Sequence, residues 1–430
     1  MKLTALFNLS ASGRRLLKIV FLSVCIGFAA IFYVLKVETP SPSLDRLLED
    51  ALKDSAEYLV KVTHDDGMFE YLTNTNPAVK SRRQYNILRH AGTIYAMSMY
   101  QQKYPDDRML FAIKRAGRYL QNSAIRPLPS VLSISAVWSD PQVNGSRNPM
   151  QVKLGGTGLG LVALLSIEKL SPGFTSLPQL RALGRSILYM QRKDGSFYAK
   201  YIPSQGGLQG QWTSLYYPGE AALGLLMLYE KDPDPLWLQS AGKALAYLAL
   251  SRQNSQWVPA DHWALLATAK LLSLEQKQAI PVSKAVLIKH ALQICESILK
   301  EQIREPVSIY QGGFAVDGRT TPTATRLEGL LAVLSFLPEE HALRSKIETA
   351  VTQGITFLLS AQIRQGKYRG AIPRAVGKLS GQGPDIQKFN RRSTEIRIDY
   401  IQHAMSAMLE YLRLMEKKRL RTPAKHQSQK

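Results

Sequence analysis

The sequence predicts an all-α protein in which one N-terminal transmembrane helix precedes a closed ring of six helical hairpins. Three observations predict it: an uncharged apolar run near the N-terminus, an alternation of amphipathic with uniformly apolar segments, and a glycine-containing pattern that recurs at segment ends. The boundaries are 1–18 for a cytoplasmic N-terminus, 19–35 for the span, 36–43 for a linker, 44–415 for the ring and 416–430 for a basic, disordered tail.

The span comes first. Between Lys18 and Lys36 lie 17 residues without a charge. As a helix they rise roughly 26 Å, slightly less than the ~30 Å hydrocarbon layer, and flanking lysines can snorkel over the difference. Lys2, Arg14, Arg15 and Lys18 precede the run, while Glu38, Asp45, Glu49 and Asp50 follow it. This asymmetry predicts anchoring in the inner membrane with the domain in the periplasm or at the cell exterior. A cleaved signal peptide is the competing reading, but no clean small-x-small site follows the apolar run.

The hairpins rest on periodicity. First members are amphipathic: Ile347, Ala350, Val351, Ile355 and Leu358 form one stripe of a 3.6-residue helix. Second members are apolar nearly all round, as in residues 221–228, and belong to an inner, buried ring. The pairs fall at 44–61 with 84–101, 109–121 with 154–170, 177–191 with 217–230, 236–252 with 260–274, 283–301 with 321–337, and 344–361 with 395–415. Several first members end in a shared pattern. Thr63 leads to Gly67 and Phe69, Gln191 to Gly195 and Phe197, Gln362 to Gly366 and Tyr368, and a looser copy runs from Gln253 to Trp257.

Loop lengths then select a working face. Inner-to-outer connections are five to eight residues long, whereas 62–83, 122–153, 192–216, 302–320 and 362–394 are long and all lie where inner helices begin. Long ordered loops concentrate function, and helix N-termini present free N–H groups and positive dipole ends. Loop 362–394 adds eight Arg or Lys residues against one Asp, so this face is electropositive.

The net charge of +22 is partly peripheral. Residues 1–36 carry five positive charges and no acid, and residues 416–430 six positive charges and one acid, leaving +12 on the ring. An anionic glycan or membrane surface fits this balance, and nucleic acid does not fit the expected compartment. Cys25 lies in the span and Cys295 in a helix, which excludes an intradomain disulfide and a cysteine-based zinc site. No His, Asp or Glu cluster has metal-ligand spacing, so no metal or cofactor is expected.

The recurring glycine pattern resembles the Q-x-x-x-G-x-W repeat of terpenoid cyclases and protein prenyltransferases. The layout over residues 44–415 resembles the (α/α)6 toroids, which also include glycoside hydrolases, polysaccharide lyases and sugar epimerases. The chain has no Asp-x-Asp-Asp acid of the terpene-protonating kind and no cysteines for a prenyltransferase-like zinc. The resemblance therefore implies carbohydrate chemistry: glycosidic cleavage, or C5 epimerisation or elimination, on an acidic polysaccharide. A non-catalytic glycan-binding or scaffold role in polysaccharide assembly or export is the alternative.

Candidate residues sit at inner-helix starts. In the first, Arg83, Tyr85, Asn86, Arg89 and His90 supply what proton abstraction beside a sugar carboxylate needs: Arg and Asn for the anion, Tyr or His for the proton. Tyr216, Tyr217 and Glu220 open the third, and Asp261, His262 and Trp263 the fourth. Arg326 and Glu328 open the fifth; Glu395, Arg397, Asp399 and His403 line the sixth, beside Arg391 and Arg392. Tyr85, His90, Glu220, Asp261, Glu328 and Glu395 are the expected catalytic groups, and the remaining arginines, Asn86, Tyr217 and Trp263 the expected sugar contacts. Helix capping by Asp261 and an Arg326–Glu328 ion pair are the competing structural readings. Residues 155–160, Gly-Gly-Thr-Gly-Leu-Gly, lack the flanks of a phosphate loop and predict close helix packing.

Overall fold

The computed structural model describes residues 43–81, 84–129, 131–275 and 281–421. The expected span at 19–35 and Arg83 lie outside them. No helix among the described residues is long and apolar enough to cross a membrane.

Twelve helices form the six expected pairs. They are α1 (Leu44–Lys61) with α2 (Ile87–Lys103), α3 (Asp107–Tyr119) with α4 (Leu154–Leu170), and α5 (Leu177–Tyr189) with α6 (Tyr217–Lys231). The others are α7 (Pro235–Arg252) with α8 (His262–Glu275), α9 (Lys284–Lys300) with α10 (Thr320–Leu334), and α11 (Ala342–Ala361) with α13 (Ile398–Arg421). A short α12 (Pro384–Arg392) lies in the last loop. The second members pack in sequence, α2 on α4, α4 on α6, α6 on α8, α8 on α10 and α10 on α13, and α13 returns to α2. The chain is thus an (α/α)6 toroid. Its inner wall follows from composition: every residue from Leu154 to Glu168 in α4 is buried, whereas α1 and α5 bury one stripe.

Small residues let the inner helices touch. A Cβ on Gly158 would fall 2.7 Å from the Glu220 backbone, and one on Gly224 would fall 2.9 Å from the Gly158 carbonyl. The glycine run in α4 is therefore a packing surface, as expected.

The end-of-helix pattern joins neighbouring outer helices. Gln191 donates through Nε2 to the carbonyls of Gly195 (3.2 Å) and Ser240 (2.9 Å), the latter in α7. Gly195, at φ +91°, lies so close to Lys243 in α7 that a Cβ would sit 2.4 Å from its carbonyl oxygen. Gly67 meets Arg115 of α3 in the same way, with Thr63 in the glutamine's place. Gln362 bonds Ala51 in α1 (2.7 Å), and Gly370 presses on Asp54. In this last copy the packed glycine is Gly370 and not the expected Gly366, which has no neighbour within 4 Å of its would-be Cβ. A further copy escaped the sequence pattern: Gln302 bonds Gly312 and Ala350, and Gly312 abuts Gln353 of α11. Insertions between glutamine and glycine hid both.

Two other expectations need correction. The fold is not purely helical, because the long loops pair as strands. Strand β1 (Leu72–Asn74) pairs antiparallel with β7 (Glu395–Arg397), with Thr73 opposite Ile396. β2 (Ile125–Leu128), β3 (Val131–Ser139), β4 (Gln151–Lys153), β5 (Lys200–Ile202) and β6 (Gly207–Gln209) form an antiparallel sheet in that order. Helix α13 also runs past the expected end of the ring at residue 415, to Arg421, with Lys418 paired to Glu348 at 2.7 Å.

Candidate active site

Inner-helix starts converge on one cavity of about 480 Å³ at the long-loop end of the ring, and every inner helix lines it. Asn86 caps α2, accepting from the Leu88 N–H at 3.0 Å. Three residues on from Asn86, Arg89 donates through Nε to Asp399 (2.9 Å) and through Nη1 to the Tyr71 hydroxyl (2.8 Å). Asp399, at the start of α13, also accepts from Arg397 Nη2 at 3.0 Å. Burial would raise its carboxyl, but the charges of Arg89 and Arg397 outweigh this and hold it below the usual range.

Four residues after Asp399, on the same face of α13, His403 bonds Glu328 of α10, with Nδ1 2.8 Å from Oε2. His262 of α8 places Nε2 3.7 Å from that same oxygen, and the two imidazoles stand edge to face with centroids 5.5 Å apart. Their acidities diverge. Burial depresses His262 well below the usual histidine value, aided by the charges of His403 and Arg326. Burial acts on His403 too, but the charge and hydrogen bond of Glu328 overcome it and raise the ring's pKa. His262 is therefore a neutral imidazole without a hydrogen-bond partner among the described residues, beside an imidazole held toward its charged form. The Nδ1 bond leaves Nε2 of His403 for a ligand. Tyr216 and Trp263 flank the pair, with ring centroids 4.9 Å from His262 and 6.5 Å from His403 respectively.

Glu220 of α6 is the cavity's other distinctive group. Burial, with a smaller push from Asp261, raises its carboxyl to about 8, and its Oε2 has no hydrogen-bond partner among the described residues. It is a protonated acid at neutral pH.

Of the residues expected to converge, Asn86, Arg89, Tyr217, Glu220, Trp263, Arg326, Arg392 and Arg397 line the cavity. Glu328 does not line it but holds His403, which does. Arg326 pairs with Glu301 (Nε to Oε2, 2.6 Å), not with Glu328 as the competing reading had it. Tyr85 and His90 lie away from the cavity. His90 is one position past Arg89, about 100° around the helix, and bonds the Ala116 carbonyl of α3 (2.9 Å) and the Tyr85 hydroxyl (2.7 Å). Asp261 is buried at the start of α8, accepting from Ala264 N–H (3.1 Å) and pairing with Arg252 (3.0 Å), the role of a cap. Glu395 is in β7, not in a helix, held by Arg392 (2.9 Å) and the Tyr400 hydroxyl (2.7 Å). It lines a neighbouring cavity of about 460 Å³ with Arg391, Arg392 and Arg397. Arg319, Arg374, Tyr400 and Gln402 line the main cavity without having been singled out.

The three groups His262, Glu328 and His403 also bring ligand atoms within 4.8 Å of one another, close enough to hold a metal ion. Residue spacing could not reveal this, because they come from three inner helices. Ligand atoms around a tetrahedral zinc stand roughly 3.3 Å apart. The 2.8 Å Nδ1–Oε2 separation is that of a direct hydrogen bond.

Neither a family model nor a curated protein matches the sequence. Solved structures do match. Cellobiose 2-epimerase from Bacillus thermoamylovorans is 11% identical with a TM-score of 0.64, the match covering 86% of this chain and 99% of that one. D-mannose isomerase is 12% identical with a TM-score of 0.61, covering 87% and 99%. The α-1,6-mannanase from Salegentibacter sp. is 12% identical with a TM-score of 0.56, covering 86% and 99%. At such identities the likeness is one of fold. The chain has the six-hairpin toroid shared by carbohydrate-active hydrolases, isomerases and epimerases, as the resemblance implied.

Proposed function

We propose that the protein is a sugar epimerase or isomerase that moves a proton at a carbon next to a carbonyl. The observation that carries this reading is the His262–His403 pair, two imidazoles facing one cavity with acidities driven in opposite directions. Groups pushed apart in this way mark the base and the acid. Neutral His262 takes the proton from the substrate carbon, and the C–H electron pair becomes the C=C bond of an enol(ate). The carbonyl oxygen gains charge, which the Arg89 guanidinium stabilises. His403 gives its Nε2 proton to the opposite face of that carbon for epimerisation; for isomerisation it gives it to the former carbonyl carbon, and the proton of the adjacent hydroxyl passes to the former carbonyl oxygen as the new carbonyl forms. Glu328 keeps His403 charged until then. Trp263, Tyr216 and Tyr217 offer faces for a sugar ring.

A hydrolase needs two opposed carboxyl groups, one of them free to act as base or nucleophile. Here Asp399 is bound by two arginines, which favours proton transfer over hydrolysis. By the charges flanking residues 19–35, the enzyme works at the outer face of the inner membrane on an envelope glycan; a C-terminal reporter active only in the cytoplasm overturns that placement.

The test of the chemistry is incubation in D2O with reducing sugars and uronate-containing oligosaccharides, followed by NMR. Deuterium at a single carbon is expected, and it disappears in H262N and H403N. Oligosaccharide shortening without exchange overturns the reading in favour of hydrolysis, and binding without either favours a scaffold. Loss of exchange on chelation, with stoichiometric metal in the untreated protein, turns the His–Glu–His group into a metal centre.

A further inference from the structure

Six arginines line the main cavity, and their partners can be counted. Arg89 and Arg397 share Asp399, Arg326 has Glu301, Arg392 has Glu395, and Arg319 has Asp317 at 2.7 Å. Arg374 has no carboxylate among the described residues, and its buried Nη1 has no hydrogen-bond partner there.

The position of Arg374 is nevertheless well fixed. Its backbone N–H donates to the Glu395 carbonyl at 2.7 Å, and its own carbonyl accepts from Thr320 N–H at 3.0 Å. Its guanidinium stacks over Phe389 of α12 with 4.6 Å to the ring centroid. A part-buried cation is thus held in place by packing beside other cations, and its enclosed Nη1 without a partner among the described residues carries a desolvation cost. Burial and the neighbouring charges of Arg392 and Arg319 lower its pKa, although Tyr400 and Glu395 oppose them. The neighbouring cavity, which shares Arg392 and Arg397, adds Lys80, Lys388 and Arg391 against the single acid Glu395, itself already paired.

We propose that Arg374 anchors an oxyanion subsite within the cavity, and that the substrate is a sugar bearing a carboxylate or phosphoryl group that this arginine binds. The inference rests on the sugar reading of the cavity above and names its substrate class. A planar guanidinium supplies two parallel donors that match either oxyanion, and the Phe389 ring against it fixes its place. Arg392 and Arg319, though paired, add long-range attraction.

Calorimetric binding to the purified protein tests this with glucose, glucuronate and glucose 6-phosphate, at low and high sodium chloride. At least one anionic sugar is expected to bind at least tenfold more tightly than glucose, and that advantage shrinks as salt rises. A preference for glucuronate identifies the carboxylate as the natural group, and one for glucose 6-phosphate identifies the phosphoryl. R374M keeps bulk against Phe389 and removes the donors; it should erase the anionic advantage while leaving glucose binding unchanged. R374K should restore part of it, and it replaces R374M as the informative variant if R374M does not fold. Equal affinity for all three sugars, or an anionic advantage that survives both variants, overturns the proposal. Binding is read without turnover, so failure of deuterium exchange alongside an Arg374-dependent preference would remove the epimerase reading and leave the subsite standing.

Discussion

His90, buried, and His403, part-buried, both lie on inner helices, and each uses its Nδ1 for a side-chain hydrogen bond. The partner makes the difference. His90 meets the neutral hydroxyl of Tyr85 and a backbone carbonyl, and burial takes it down to about 4. It stays neutral and joins α2 to α3. His403 meets a carboxylate of α10 that reverses the effect of burial, and it also lines the cavity. Histidine at an inner-helix start therefore says little by itself. Its neighbour's charge, and the side of the helix it occupies, separate a structural ring from one able to carry a proton.

The contrast can be broken experimentally. The largest effect is expected from H403N, which keeps a donor for Glu328 but cannot shuttle a proton. Turnover should fall by about 10²–10⁴, the usual worth of a general acid or base, with little change in melting temperature. H90A should do the reverse, costing about 1–3 kcal/mol of stability, because it removes two buried hydrogen bonds, to the Tyr85 hydroxyl and the Ala116 carbonyl, while turnover per folded molecule stays near wild type. Comparable losses of turnover in both variants would erase the distinction between the two histidines.

E328Q sharpens it. His403 is raised by Glu328, so its charged form persists below that raised pKa and is lost as pH climbs through it. Removing the carboxylate lets burial dominate, and the alkaline limb of the pH–rate profile moves to lower pH. An unmoved limb means that Glu328 does not set the acidity of His403. The smallest effect concerns the slope of stability against pH. Glu220 is raised to about 8, so between the ordinary glutamate value and 8 the unfolded chain is ionised while the folded one keeps its proton. Stability contributed by this site falls with rising pH over that window and levels off above it. E220Q should flatten thermal melts across the same window, and an unchanged slope would place the Glu220 pKa near normal.

The helical ring was legible because its signal is local. Apolar periodicity located all six pairs within a few residues, including α4 at its observed bounds. What failed depends on distant partners. Periodicity carries residues 395–397 into the first turn of α13, because nothing in them announces their pairing as β7 with Leu72–Asn74. Strand β3 does carry a signal within the long loop 122–153, as Ile134, Ala136 and Trp138 alternate along it and are buried. At the candidate site the inner-helix starts do meet at one cavity, but adjacent residues there face different surroundings. Arg89 and His90 differ by one position and face different surroundings, which no one-dimensional pattern resolves. His262 and His403 lie 141 positions apart in sequence and gain meaning only through Glu328 on a third helix. Arg374 was counted within a basic loop, and its want of a counterion is visible only once the other five arginines have theirs.

The glutamine–glycine contacts that fasten outer helices to one another also set the timing of the protein's assembly. Gln362 bonds Ala51 across 311 positions, and Gly370 seats on the same first helix. At ordinary synthesis rates of about 5–20 residues per second, that helix waits roughly 15–60 s for its partner to be made. Until then the nascent chain is an open arc whose two end hairpins each present an uncovered apolar flank. The interval in which the newborn protein is most exposed to aggregation is therefore set by the arrival of its last hairpin, and a chaperone acting on it would be needed chiefly at those two flanks.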